Sequence, residues 1–193
     1  MSENRKGDFE IMTSLYLQLL KESDFDDRYV NWHFDSHTSY YSASNRVFTK
    51  KNLLDEYHNG ITNKNNYHYG IFYRETKTLI GVIKLGIIDW NHKTSDMIAF
   101  IGDKNYLGLG LAAEAIALGN MIAFNEHKLR KLYGGMFKEN IGSVKAYLKA
   151  GWVIEGVMKD QYLSLGAAQD RVLVACFNPD IFKEEYYKQG VCQ

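Results

Sequence analysis

The sequence predicts an α+β fold in which helices flank a mixed central β-sheet. Three observations predict this class: closely spaced strand-like runs in the first half, alternating strand and helix patterns in the second half, and a glycine pair where the halves meet. Strands joined by short turns pair antiparallel, whereas a helix between two strands allows a parallel pair. The sheet is therefore expected to combine both directions.

Length and composition predict a single domain spanning residues 1–193, with an ordered core at about 10–180. The chain has one proline and no low-complexity tract, so nothing marks a linker. A chain of this length buries roughly 70% of its unfolded surface, and its core requires neither a metal nor a disulfide. The 23 basic and 23 acidic side chains cancel, which predicts no nucleic-acid partner and no membrane partner.

The sequence also predicts a cytoplasmic protein without a metal site. The N-terminal stretch MSENRKGDFE is charged, and no run reaches the ~18 apolar residues of a membrane helix. Cys176 lies in an apolar run and Cys192 lies near the C-terminus, so no disulfide framework is expected. The six histidines are scattered and form no ligand pattern.

The first half is predicted to contain one strand, two helices and three further strands. Apolar spacing places the first strand at 14–20 and the two helices through FDDRYVNW and at 49–60. It places the three further strands at 67–74, 79–89 and 95–102. Ser23 or Asp24 is expected to cap the first helix, whereas Thr49 begins the second and Asn59-Gly60 ends it. Turns of hairpin length separate the last three strands, which makes them antiparallel.

The second half is predicted to alternate helices and strands. Their limits are a helix at 111–124, a strand at 131–137, a helix at 142–150, strands at 152–162 and 170–178, and a helical tail at 181–190. Gly151 is expected to end the second of these helices.

The stretch NYLGLGLAAEA places Gly108 and Gly110 directly before a helix. Such a turn lets backbone amides and the positive helix end approach a phosphate. The spacing fits both a dinucleotide fingerprint and a pyrophosphate loop of the coenzyme A type. A dinucleotide loop belongs in the first turn of a parallel sheet, whereas this one follows an antiparallel meander. A third interpretation, that the glycines only allow close strand–helix packing, stays open.

Several motifs in register resemble the GNAT acetyltransferase superfamily, and within it the RimJ/RimL-type branch. The superfamily pattern Q/R-x-x-G-x-G/A corresponds to Asn105 through Gly110, and the branch form corresponds to YLGLGLAAEA. The stretches VNWHFD, NIGSVKAYLKAGW and EGVMKDQYLSLGAAQDRVLV resemble later and earlier elements of the branch. Asn105, Leu107 and Leu109 depart from the usual residues. The loss of a basic side chain at 109 leaves more of the phosphate binding to backbone amides.

The resemblance implies an N-acetyltransferase that uses acetyl-CoA as co-substrate. It implies a splayed strand pair, with the backbone of Ala99, Phe100 and Ile101 free to pair with pantetheine amides. The remaining coenzyme-binding residues that it implies are Leu107, Gly108, Leu109, Gly110, Leu111, Ala112, Ala113, Asn140 and Ser143. Asn140 as a turn former and Ser143 as a helix cap are the structural alternatives.

The resemblance also implies two catalytic residues. Asp96 lies on the strand before the pantetheine-pairing residues and is the candidate general base for the acceptor amine. Tyr147 lies seven residues after Asn140 and is the candidate acid for the departing thiolate. The alternatives are a solvent-facing strand-end acid for Asp96 and a tyrosine packed on the sheet for Tyr147.

The acceptor is expected to be a small-molecule primary amine, such as a nucleotide-linked amino sugar. Aromatic residues of the N-terminal half suit a sugar or nucleoside ring, and Trp32 and Tyr41 are the candidate substrate-binding residues. No dense acidic cluster suits a polyamine, although ESDFDD leaves that acceptor open. The alternatives are a protein N-terminus, a polyamine, or a non-catalytic acyl-CoA-binding module. A monomer or homodimer is expected.

Overall fold

The computed structural model describes residues 13–35, 48–164 and 166–183, and these form one seven-stranded sheet with helices on both faces. The strands are β1 (Leu15–Leu19), β2 (Tyr67–Tyr73), β3 (Thr78–Leu85), β4 (Thr94–Ile101), β5 (Lys131–Phe137), β6 (Val153–Ser164) and β7 (Ala167–Phe177). The helices are α1 (Asp27–Trp32), α2 (Lys50–Asn63), α3 (Leu111–Asn125) and α4 (Ile141–Lys149). Short 3-10 turns cover Glu22–Asp24 and Lys104–Tyr106.

The sheet is mixed, as predicted. Its strand order is β1-β2-β3-β4-β5-β7-β6, and every neighbouring pair is antiparallel except β4 with β5. The antiparallel meander of β2, β3 and β4 is confirmed, as is the predicted order of strands and helices. This architecture confirms the α+β class.

Each face of the sheet has its own core. Helices α3 and α4 cover the face that we call the α3 face, where Met97 and Ile116 are about 1% exposed. Helices α1 and α2 cover the opposite α1 face, where Phe25 and Tyr29 are buried against Val82. Side chains alternate along a strand. On β4, Met97, Ala99 and Ile101 therefore face α3, and Asp96, Ile98 and Phe100 face the other way.

Two predicted helix limits are wrong. Asp26, not Ser23 or Asp24, caps α1 by accepting a hydrogen bond from the Tyr29 N–H at 2.9 Å. Thr49 does cap α2, but that helix continues past Gly60 to Asn63 and ends where Lys64 adopts φ 54°. Gly60 is a packing residue, because its Cα lies against the Asn66 backbone and leaves no room for a side chain.

The predicted strand at 79–89 is too long. β3 ends at Leu85, and the Ile88 N–H then donates to the Asn65 carbonyl at 2.7 Å instead of to a neighbouring strand. The other strand limits agree with the prediction to within a few residues. The predicted helix at 181–190 lies largely outside the described residues.

Gly81 is expected to be indispensable for the β3–β4 pairing. A Cβ at this position would collide with the Phe100 carbonyl oxygen and would lie 3.0 Å from the Ile101 Cα, and neither backbone atom can move freely. We expect Gly81→Ala to lower the free energy of unfolding in urea by about 1–3 kcal/mol. Gly142→Ala is the matched control, since nothing lies within 4 Å of its Cβ position and alanine favours the α4 helix. Equal stability of the two variants would contradict this packing.

Candidate active site

The strands β4 and β5 part near the middle of the sheet. Their parallel pairing covers only Thr94, Ser95 and Asp96, opposite 131–133. From Met97 to Ile101, β4 continues to pair with β3 on its other side. One edge of β4 is therefore free of strand partners over residues 97–101, the range that contains the predicted pantetheine-pairing residues.

Tyr147 occupies the gap between the two strands on the α3 face. Its side chain is 4% exposed, and its hydroxyl donates a hydrogen bond to the Met97 carbonyl at 2.8 Å. Burial raises the pKa of Tyr147, and the negative charge of Asp96 raises it further, whereas the nearby Ala99 N–H acts in the opposite direction. The hydroxyl thus stays protonated and lies on the free edge of β4.

A buried network that the sequence analysis missed holds Tyr147 in place. The Trp152 ring packs edge-on against Tyr147 with centroids 4.7 Å apart, and its Nε1 donates to Asn120 Oδ1 at 3.0 Å. The Asn120 Nδ2 in turn donates to the Ala150 carbonyl at 3.0 Å. Asn120 therefore joins α3 to the end of α4. The sequence contained a signal for this role, namely an asparagine on the apolar side of a helix.

The glycine turn has the backbone geometry that the sequence predicted. Gly108 and Gly110 adopt φ +76° and +78°, and nothing lies within 4 Å of either Cβ position. Conformation rather than crowding therefore requires glycine here. Gly110 is the N-cap of α3 without a side-chain cap, so the first amides of this helix have no side-chain acceptor. Glu114 ties the helix to β1 by accepting the Leu15 N–H at 2.9 Å.

The start of α4 lies on the same side of the sheet as the glycine turn. Asn140 is the N-cap, and its Oδ1 accepts the Ser143 N–H at 3.1 Å. The cap is therefore Asn140 and not Ser143. Ser143 is half-buried, and Asn140 retains its side-chain amide as a donor.

Asp96 lies on the α1 face, opposite Tyr147 and one residue before Met97. Its side chain is half-buried next to Gly134, whose Cβ position lies 3.7 Å from Asp96 Oδ1. Burial raises the pKa of Asp96, while the positive charge of Arg171, the Met97 N–H and the Lys84 charge lower it. The alternative for Asp96 was an acid at the end of a strand that faces solvent. The structure instead has Asp96 half-buried among polar side chains.

Arg171 is a further residue of this cluster, and the sequence analysis did not single it out. Its guanidinium lies across Gly135, with Cζ 2.7 Å from where a Cβ would stand, and 5.7 Å from the centre of the Tyr162 ring. The Arg171 Nε is buried without a hydrogen-bond partner among the described residues. A glycine inside a strand indicates close approach of another group. Gly134-Gly135 in β5 was therefore the available signal.

Two histidines and one ion pair complete the polar side of the α1 face. Lys84 pairs with Glu56 across β3 and α2. His68 is 2% exposed, and neither ring nitrogen has a hydrogen-bond partner among the described residues. Burial and then the Lys84 charge lower the pKa of His68 to about 4, so this ring is neutral at pH 7. His33 contacts the Phe100 ring with centroids 5.5 Å apart.

Of the two predicted substrate-binding residues, the structure describes Trp32 but not Tyr41. Trp32 is 4% exposed, packs against Gly102 and meets the Phe100 ring edge-on at 6.4 Å. This burial favours a role in fixing Phe100 over direct contact with an acceptor. Tyr41 lies outside the described residues.

Two grooves open on the α1 face beside this cluster. The first, which we call the amide groove, has a volume of about 620 Å³ and runs along α2 and the following turn. It is lined by Glu56, Asp55 and five asparagines: Asn52, Asn59, Asn63, Asn65 and Asn66. The second, which we call the basic groove, has a volume of about 400 Å³. Its polar lining consists of His92, Thr94, Arg130, Lys131, Tyr133, Glu155 and Arg171.

Within the part of the chain that the structure describes, no group of three or more His, Cys, Asp or Glu side chains is placed to hold a metal ion. Among the same residues, no helix is long and apolar enough to cross a bilayer.

Known proteins share this architecture. Residues 14–153 match the family model of the acetyltransferase (GNAT) domain. The probable N-acetyltransferase YjcK of Bacillus subtilis (strain 168) is 30% identical over 131 residues, which cover 68% of this chain and 72% of that protein.

Solved structures of acetyltransferases have the same fold. The spermidine N-acetyltransferase of Vibrio cholerae, crystallised with CoA and spermine, has a TM-score of 0.71 at 21% identity, over 86% of this chain and 96% of that one. The ribosomal-protein-S5-alanine acetyltransferase of Vibrio fischeri has a TM-score of 0.74 at 19% identity, over 87% and 95%. Because both kinds are similar, the RimJ/RimL-type branch stays a prediction. The family match over most of the chain shows that the protein belongs to the GNAT acetyltransferases and is an N-acetyltransferase that uses acetyl-CoA.

Proposed function

We propose that this enzyme acetylates the primary amine of a small molecule, with a nucleotide-linked amino sugar as the leading acceptor, by direct attack on acetyl-CoA in a ternary complex. The observation that carries the mechanism is the free edge of β4, which has Tyr147 on one face and Asp96 on the other. A thioester at this edge would meet a hydrogen-bond donor from one side and a proton acceptor from the other.

On the α3 face, backbone groups of the protein would bind the coenzyme. The backbone at 99–101 would pair with pantetheine amides as an added strand does. The amides of 107–113, at the open glycine turn, would hold the pyrophosphate. Leu109 is 64% exposed and supplies no charge, so these amides and the helix end would carry the binding. Asn140 and Ser143 would add side-chain contacts from α4.

Asp96 would relieve the acceptor of its proton, directly or through water. A lysine-like amine with a pKa near 10.4 costs about 4–5 kcal/mol to deprotonate at pH 7, whereas an α-amine with a pKa near 8 costs only about 1 kcal/mol. The raised pKa of Asp96 makes its carboxylate a stronger base than an exposed one. A proton acceptor therefore matters most for the more basic acceptors.

Tyr147 would stabilise the departing thiolate from the α3 face. Its pKa is raised above 10, whereas a thiol has a pKa of about 8.5, so complete proton transfer from the phenol is unfavourable. A hydrogen bond donated to the sulfur is favourable, because the thiolate forms in a buried place. To donate this bond, Tyr147 exchanges its present acceptor, the Met97 carbonyl, for the sulfur.

The amide groove supports a hydroxyl-rich acceptor. Both of its carboxylates lie in ion pairs, Glu56 with Lys84 and Asp55 with Lys51. The remaining polar side chains are amides, which both donate and accept hydrogen bonds as sugar hydroxyls require. The likeness to a spermidine N-acetyltransferase supports a polyamine as the second candidate, and the likeness to a ribosomal-protein acetyltransferase supports a protein N-terminus. A non-catalytic acyl-CoA-binding module would require neither Asp96 nor Tyr147.

Release of thiol from acetyl-CoA in the presence of amino sugars, polyamines or short peptides tests this function. We expect Gly110→Asp to abolish the release and to weaken coenzyme binding in calorimetry, because its carboxylate lies where the pyrophosphate belongs. Gly110→Asn is the control, since it carries the same strain at φ +78° without the charge. Equal affinities of the folded Asp and Asn variants would place the pyrophosphate elsewhere.

Removal of the Tyr147 hydroxyl is expected to lower kcat by roughly 10²-fold at unchanged coenzyme affinity, the range found for loss of one hydrogen-bond donor to a developing negative charge. Tyr147→Phe also leaves the Met97 carbonyl without its donor, so stability falls too. Tyr69→Phe is the matched control, because it also removes a hydrogen-bonded tyrosine hydroxyl. Tyr69 lies on β2, where its hydroxyl is bonded to His127 Nε2 at 2.8 Å. If both variants keep wild-type kcat, Tyr147 has only a packing role.

The Asp96→Asn variant is expected to lose most activity near pH 7 and to recover as the pH rises towards the pKa of the acceptor amine, because free amine requires no base. The exposed Asp180→Asn variant is the control for a general change of charge. Rates of thiol release across pH 6–10, a range set by these pKa values, measure the effect. A loss that is independent of pH would remove Asp96 from proton transfer.

The same substitution has an expected signature in stability. The pKa of Asp96 is higher in the folded protein than in the unfolded chain, so its ionisation disfavours folding. This loss of stability grows as the pH rises above the unfolded pKa and is complete above the folded pKa. Below the unfolded value of about 3.9 the carboxyl is neutral in both states. Asp96→Asn should therefore raise the free energy of unfolding at pH 7. It should leave this free energy unchanged at a pH below the unfolded pKa of Asp96.

A further inference from the structure

The C-terminal half of the α1 face carries a concentration of positive charge. Helices α1 and α2 pack against β2, β3 and β4, and among the described residues no helix covers β5, β7 and β6 on this face. Tyr133 is consequently 41% exposed in the middle of the sheet. The basic groove lies over this uncovered area and begins beside Asp96, whose partner in the β4–β5 register is Tyr133.

The charges of the basic groove do not cancel. Its one carboxylate, Glu155, is paired with Lys131 at 2.6 Å. Arg130 and Arg171 remain, and no carboxylate of the described residues lies within ion-pair distance of either guanidinium. Two arginines thus line a cavity of about 400 Å³, and the charge of Arg171 also acts on Asp96 from beyond ion-pair distance. A guanidinium prefers a planar, two-point contact with phosphate or carboxylate.

Both arginines are held in position by the protein. The Arg130 Nε donates to the His92 carbonyl at 2.7 Å, which leaves the other guanidinium nitrogens for a ligand. Arg171 rests against Gly135 and the Tyr162 ring, and its buried Nε has no hydrogen-bond partner in the part of the chain that the structure describes. Side chains that are already held in place lose little conformational entropy when a ligand binds. They therefore bind an anion more tightly than a flexible surface side chain does.

The distances along the sheet set the length of the ligand. The register pairs Asp96 with Tyr133 and Thr94 with Lys131, so the far end of the groove lies two residues from the base, about 7 Å at strand rise. The Arg130 N–H donates to the Lys93 carbonyl, three residues before Asp96, so the backbone at Arg130 lies about 10 Å from Asp96 along the strands. A compact molecule can span both points.

We propose that the basic groove binds a phosphate group carried by the acceptor, and that Arg130 and Arg171 select phosphorylated amines over polyamines. This inference rests on the proposed function and deepens it by naming the acceptor class. A polycation would place positive charge against both guanidiniums of the groove, whereas a phosphate monoester or diester would bring the negative charge that they attract.

The test compares glucosamine with glucosamine 6-phosphate as acceptors. We expect kcat/KM to favour the phosphate ester by at least about tenfold, since a hydrogen bond to a charged group contributes about 1.5–3 kcal/mol. Arg130→Gln should remove most of this preference and leave the use of glucosamine unchanged. Arg171→Gln should also remove it, but loss of its charge raises the pKa of Asp96, so the rate with glucosamine changes in this variant too. Lys77→Gln, in the β2–β3 turn, removes one charge away from the groove and should keep the preference.

A binding measurement supports the kinetics. Inorganic phosphate is titrated calorimetrically into the enzyme saturated with CoA, so that the pyrophosphate loop is already filled. We expect binding that Arg130→Gln and Arg171→Gln weaken by about tenfold, the cost of one charged hydrogen bond. Arg130→Gln keeps the test decisive if Arg171→Gln does not fold.

The outcomes separate the two proposals. Equal use of both sugars, or a preference for spermidine with no phosphate binding, overturns the phosphate site and leaves the acetyltransferase function intact. Acetylation only of peptides with acidic residues also overturns it. Failure to acetylate any small amine, with phosphate binding retained, overturns the small-molecule function and leaves the anion site standing.

Discussion

From Met97 to Ile101 the backbone groups of β4 that point away from β3 have no partner in β5. A buried donor or acceptor left unpaired costs about 1–3 kcal/mol, so a gap of this kind persists only if other groups fill it. The Tyr147 hydroxyl fills it at Met97, and the Trp152–Asn120 network holds the phenol there. The rest of this edge presents backbone N–H and C=O groups, which the proposed pairing with the two amides of pantetheine would use.

The parting of these strands also divides the site by polarity. On the α3 face the gap is lined by buried aromatic and aliphatic side chains, and on the α1 face it is lined by charges. In the proposed mechanism the thiolate would therefore form in dry surroundings beside a neutral donor, and the protonated amine would lie in wetter surroundings beside a carboxylate. Alternation of side chains along a single strand produces this separation, because Asp96 and Met97 are neighbours in sequence.

The sequence predicted the features that local chemistry decides. Paired glycines before a helix, the Thr49 cap and the hairpin turns all act within a few residues, and the structure has them where they were expected. The remaining features depend on partners distant in sequence. Gly60 continues a helix because Asn66 packs against it, and Trp32 is buried because Gly102 makes room. The charge of Arg171 acts on Asp96 because β7 and β4 lie on either side of β5. No periodicity along the chain encodes these contacts.

Gly135 differs from Gly81 in what crowds it, and this difference affects how the enzyme can evolve. At Gly81 the obstacle is backbone, whereas at Gly135 it is the far end of the Arg171 side chain. A single-base change from glycine to alanine at 135 would push the guanidinium aside and spare the core. If the basic groove binds the acceptor as proposed, acceptor specificity can change at this position without loss of the fold, whereas a change at Gly81 would destabilise the sheet itself.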